Sequence, residues 1–272
     1  MNKFEMPYNF DIKLIEILKL FDPEGETIDC IYIPPFQKDY QTILRTADQA
    51  DFLENMNRQD YEYHVNFINR LFPNKLQLLL QKDTLILPQE KIKYYIDLGF
   101  KNFCVASLEQ AKLIKEINDN VKIVGSIAMK INLQKLIKNN EEYKKYFNSF
   151  VLPFSFCKDL KEIKKLPKHF DYILLVNAYC NTSCNGTHHW LTNYKNEIIK
   201  CPGILGKNNL KWKNTTRIRP MDLFLFTPYI KVFKLQDRGW PTEEILRDYI
   251  LYTSNYTIYP EINYTERIYN NE

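Results

Sequence analysis

The sequence predicts an α/β fold in which parallel strands alternate with helices and close into a (β/α) barrel. Three observations predict it. Short runs such as LQLLL (76–80), VKIVGSI (121–127) and DYILLVN (171–177) are apolar on both faces and separated by helical patterns, the mark of strands covered by helices on each side. The 272 residues suit one barrel and keep an even composition. After Asn177 the alternation breaks into a long polar stretch, 178–219, before it resumes. Long irregular insertions in compact domains are usually functional.

Taken in order, residues 11–21 place Ile12, Ile15 and Leu18 at helical spacing, with Asp11 as the N-cap. IDCIYI then reads as a strand stopped by Pro34 and Pro35. Residues 59–72 read as a helix, 76–80 as a strand, and 89–98 as a helix ended by Gly99. FKNFCVA (100–106) is a strand, followed by a helix capped by Ser107. After the strand at 121–127, a lysine-rich helix covers 133–146. FVLPF (150–154), a short helix and the strand at 171–177 follow. Beyond the insertion, a helix is expected at 220–226, a strand at 230–235 and a helix from a capping Thr242 to about residue 254. The tail, 255–272, is polar and rich in tyrosine.

These make seven strands in one domain spanning 1–272, a TIM-barrel-like fold with its long cysteine-bearing loop after the sixth strand. An eighth strand is expected within 190–201; without it the barrel is incomplete or distorted. An open doubly wound sheet is the alternative, disfavoured because no glycine-rich phosphate loop follows the first strand.

Hydrophobic residues at 45% supply a full core, which argues against disorder. Net charge is +4 from 37 basic and 33 acidic residues, with no basic block of the kind a dedicated nucleic-acid binder carries. The lysines at 158, 161, 164, 165 and 168 are interleaved with Asp159 and Glu162 and read as a solvated helix face. No signal-peptide pattern and no apolar run of membrane-spanning length is visible, so a cytoplasmic protein is expected. In a reducing compartment, clustered cysteines are more often ligands or catalysts than disulfides.

The segment LLVNAYCNTSCNGTHHW carries Cys180 and Cys184, then His188 and His189, and Cys201 follows in IIKCPG. Three cysteines thus share one loop directly after an apolar strand, which in a barrel is the C-terminal mouth where active sites lie. Thiolates are soft ligands suited to zinc or to iron–sulfur clusters. The fourth ligand is expected to be Cys157 or one of the histidines, His188 foremost. A Cys184–His188 nucleophile pair is the rival reading, although three neighbouring thiols exceed what a nucleophile requires. Cys30 and Cys104 lie inside strand patterns and read as core residues.

LLVNAYCNTSC, the downstream cysteine, TRIRPMDL (216–223) and FKLQDRG (233–239) come in an order that resembles the collagenase-like peptidase U32 family. Weaker likenesses at YEYHVNFIN (61–69) and IVGSIAMKIN (123–132) extend the resemblance over most of the chain. The chain departs from the family pattern at Asn185, Thr187, Met221 and Asp237. The resemblance implies an iron–sulfur protein with a [4Fe–4S] cluster at the barrel mouth, acting as an oxygen-independent hydroxylase or related modification enzyme. Cys180, Cys184 and Cys201 would be ligands, with Cys157 as the fourth. An RNA base, a peptide or a small aromatic molecule would be the substrate. Lys234 and Arg238, near the last strand's end, are candidates to bind an anionic substrate group or to form ion pairs with Asp222 or Asp237. Asn177 is a candidate to contact the cluster or substrate, or to cap its strand. Arg217 and Arg219 either meet phosphate or bridge loops. The alternatives are a zinc-dependent hydrolase or peptidase, which lacks an HExxH motif here, and a non-enzymatic partner subunit whose loop is tied by metal.

Overall fold

The computed structural model describes residues 2–40, 47–129, 131–178, 216–236 and 240–254. Eight strands form a closed barrel in chain order, every one parallel to its neighbours. They are β1 (Lys3–Pro7), β2 (Ile28–Ile33), β3 (Leu76–Leu80), β4 (Asn102–Val105), β5 (Lys122–Gly125), β6 (Ser149–Val151), β7 (Asp171–Leu175) and β8 (Val232–Lys234). Among the described residues the helices are α1 (Ile12–Phe21), α2 (Ala47–Asn55), α3 (Arg58–Leu71), α4 (Gln89–Asp97), α5 (Leu108–Ile117), α6 (Leu133–Lys138), α7 (Asn140–Tyr146), α8 (Leu160–Lys164), α9 (Leu223–Phe226) and α10 (Thr242–Thr253). No helix among the described residues is long and apolar enough to cross a membrane.

The strand that completes the barrel is β1, and the barrel is closed rather than incomplete; the segment 190–201, where the eighth strand is expected from the sequence, lies outside the described residues. The cysteine-bearing segment therefore follows the seventh strand instead of the sixth. β1 is hard to read because KFEMP alternates lysine and glutamate with apolar residues, a pattern that suggests a solvent-facing edge. In the barrel Glu5 is buried, while Lys3 at the start of the strand stays exposed. Glu5 lies level with Cys30 on β2 and Lys234 on β8, and Phe4 packs against Phe233 with ring centroids 5.9 Å apart.

Caps follow the sequence closely. Asp11 and Ser107 accept hydrogen bonds from Lys13 N and Gln110 N at their helix starts. Gly99 follows α4 with φ +104°, open to glycine and strained for other residues. The helix expected over 133–146 is two, because Asn139 ends α6 and begins α7. Thr242 is the first residue of α10 rather than its cap; its hydroxyl donates to Asp11 Oδ2 at 2.5 Å, tying α10 to α1.

Above β2, Asp39 fixes the loop at the mouth. Arg58 grips both carboxylate oxygens at 2.6 and 3.0 Å, and Lys91 adds a third contact at 2.8 Å. Burial pushes the Asp39 carboxyl up, but Arg58 and Lys91 outweigh it and hold the acid below its ordinary range.

Candidate functional site

The strand register carries side chains of like orientation around the lumen, from Glu5 and Cys30 through Gln77 to Lys234. Such interiors are normally packed with branched apolar side chains. This one holds an ion pair. Lys234 Nζ contacts Glu5 Oε2, while Gln77 Nε2 donates to the other carboxylate oxygen at 3.1 Å. Glu5 is fully buried and Lys234 only 7% exposed. The ammonium also lies 3.8 Å from the centre of the Tyr32 ring, a cation–π contact. Burial disfavours the charge on Lys234, but Glu5 beside it prevails and raises its pKa above the usual lysine range.

Asp29 and Cys30 extend this cluster. The ligand atoms of Glu5, Asp29 and Cys30 lie within 4.8 Å of one another. Burial, reinforced by Glu5, raises the acid of Asp29 and pushes the Cys30 thiol well up. Lys234 already supplies positive charge to Glu5. The group has the chemistry of a lumen ion pair rather than of a metal centre. Cys30 and Cys104 both lie buried in the barrel.

At the C-terminal mouth, the chain leaves β7 through Asn177 and Ala178 and is next described at Thr216. These two ends are bonded together. Ile218 N donates to Val176 O at 2.8 Å, and the Thr216 hydroxyl donates to Ala178 O at 3.0 Å. Cys157, fully buried in the 3₁₀ turn after β6, points its Sγ at Leu175 O on β7, 3.4 Å away. It therefore sits beside the strand that leads into the cysteine segment.

Cys180, Cys184, His188, His189, Cys201 and Arg238 lie outside the described residues. Of the other candidates, Lys234 pairs with Glu5 rather than with Asp222, while Asp237 lies outside the described residues. Asp222 is held instead by Arg219, in a two-pronged contact of 2.5 and 2.9 Å. Arg217 reaches Asp248 and the Tyr252 hydroxyl, so it bridges the return of the segment to α10. Asn177 uses both ends of its amide within the fold. Its nitrogen donates to Asp248 Oδ2 at 2.9 Å, and its oxygen accepts from Gln236 N at 2.8 Å.

Glu5, Gln77, Tyr32 and Asp248 were invisible as site residues in the sequence. Only the alternation of charge in KFEMP, read as an inward face, could have singled out Glu5. Its partner is 229 residues away.

No family model and no curated protein matches the sequence. Among solved structures, the chain is similar to the U32 peptidase Mk0906, with a TM-score of 0.55 and 12% identity over 89% of this chain and 94% of that one. It is also similar to orotidine 5′-monophosphate decarboxylase from Methanocaldococcus jannaschii, with a TM-score of 0.50 and 14% identity over 93% and 100% of the two chains. At such identities the likeness is one of fold, and that fold is a U32-like, TIM-type barrel.

Proposed function

We propose that this chain, with a barrel like that of a U32 peptidase and three cysteines on one segment at its mouth, is a U32-type iron–sulfur protein. Its activity is the modification of a substrate held across the strand ends, an oxygen-independent hydroxylation in the first instance. One observation carries the reading. The segment bearing Cys180, Cys184 and Cys201 is rooted by hydrogen bonds between Ala178 and Thr216 and between Val176 and Ile218, at the end of the barrel where chemistry is done. A thiol-rich donor set fits a cluster or zinc better than a hard cation. Cys180, Cys184 and Cys201 would hold the group, with Cys157 as fourth ligand and His188 as its rival. If Cys180, Cys184 and Cys201 alone held a [4Fe–4S] cluster, its fourth iron would stay open and would supply a Lewis-acid or redox centre.

The chain's own residues shape the rest of the site. Lys234 is neutralised by Glu5, so it lends rigidity and local polarity beneath the mouth rather than an unbalanced cation. Recognition of an anionic substrate group falls to Arg238, four residues further on. Asn177 holds the exit of the segment, with both ends of its amide engaged. The substrate is an RNA base, a peptide or a small aromatic molecule; a partner protein would act at the same mouth.

Anaerobic purification with iron and sulfide analysis tests this. A brown protein with absorbance near 400 nm and about four irons per chain is expected, falling sharply in Cys180→Ser and Cys201→Ser. A colourless protein with one zinc would replace the cluster by a zinc site. A protein that binds neither iron nor zinc would end the proposal.

A further inference from the structure

We propose that Asp248 and Tyr252, one turn apart on α10, are positioning residues that hold the exit and the return of the cysteine-bearing segment in register. The consequence for a bound cluster rests on the functional reading above; the clamp itself rests on described residues.

Asp248 is 1% exposed. A carboxylate so buried is costly unless its oxygens are occupied, and both are. Oδ2 accepts from Asn177 Nδ2 at 2.9 Å, one residue before the chain leaves at Ala178. Oδ1 accepts from Arg217 Nη2 at 3.3 Å, one residue after the chain returns at Thr216. Arg247 Nε is a distant third at 3.9 Å, from a side chain 56% exposed. Asn177 carries the link onward, since its amide oxygen receives Gln236 N just beyond β8. One carboxylate therefore connects the end of β7, the end of β8 and the returning chain.

Tyr252 repeats the arrangement four residues later, on the same helix face. Its hydroxyl lies 2.8 Å from Val176 O and 2.6 Å from Ile218 O, one carbonyl on the exit and one on the return. A single O–H proton is shared between them. Packing alone does not call for either group, because leucine and phenylalanine would fill the same face of α10. The polar atoms are spent on the two roots of one segment, and that selectivity points to positioning.

The test uses the full chain with Asp248→Asn, Tyr252→Phe and the control Ile123→Val, a core change in β5. Amide hydrogen exchange is read residue by residue. Exchange at Ile218 and Gln236 is expected to quicken about ten- to a hundredfold in Asp248→Asn. Ile218 should follow in Tyr252→Phe, while the Ile123 amide stays protected in both. In iron-loaded protein under anaerobic chelator challenge, the absorbance near 400 nm should bleach faster in both variants than in the control. Unchanged exchange at Ile218 in both variants overturns the clamp, as does an equal rise in Ile123→Val. Selectively faster exchange with unaltered bleaching overturns the positioning role. A wild-type protein without iron overturns the functional reading, and the exchange data then judge the clamp by themselves.

Discussion

Lys234 and Glu5 face each other on the two strands that close the barrel, and neither has water to fall back on. A buried ion pair contributes modestly as a pair, yet removing one partner strands a charge in a medium that solvates it poorly. Lys234→Met is therefore expected to cost about 3–5 kcal/mol in urea denaturation, and the double variant Glu5→Gln/Lys234→Met less than Lys234→Met alone. A double-mutant cycle in which the second change makes matters worse would refute the pairing. Asp39 offers a pH test. Its folded pKa is depressed, so its contribution is present above the unfolded value, about 3.9, and is lost as pH falls through the folded one. The stability gap between wild type and Asp39→Asn should be full at neutral pH and close in acid; a gap that widens in acid would contradict the ion-pair account. At this scale the sequence was partly legible. Cys30 and Cys104 were readable as core from their apolar neighbours, and both are buried. Glu5 was not, because the meaning of an inward glutamate depends on a lysine at the far end of the chain.

Elements were more legible than contacts. Asp11 and Ser107 announce helix starts through side chains that satisfy local amides, an interaction written within three residues. LQLLL forms β3 without adjustment. Boundaries slipped in two places: Asn139 divides one expected helix into two, and the Thr242 hydroxyl, expected to cap α10, donates to Asp11 instead. Gly99 gives this scale its prediction. Its φ is +104°, and an added Cβ would lie 2.3 Å from Asn69 Nδ2, which itself bonds Leu98 O. Gly99→Ala should lose about 1–3 kcal/mol, measured by thermal or urea unfolding. A neutral result would mean that the turn after α4 adopts another backbone conformation.

For the molecule as a whole, the strand that completes the barrel is the one whose pattern looked least like a strand. β1 pairs with β2 on one side and β8 on the other, so it removes both edges of the sheet at once. A chain lacking residues 1–8 should fail to show a cooperative thermal transition, and near-UV circular dichroism should report lost tertiary packing. Cooperative melting of that truncated chain would show that the remaining strands stand alone. The barrel class was legible because its evidence is repeated along the chain. Closure was not, because it depends on a single pairing between distant segments, Lys3 with Val232 and Glu5 with Lys234.

That pairing has a consequence during synthesis. On a ribosome adding roughly 5–20 residues per second, β1 emerges about 10–50 s before β8 can reach it. Throughout that interval the nascent chain presents an open backbone edge and a glutamate still without its counter-ion. Cell-free translation of this chain should give more native product when chaperones that shield nascent polypeptides are supplied.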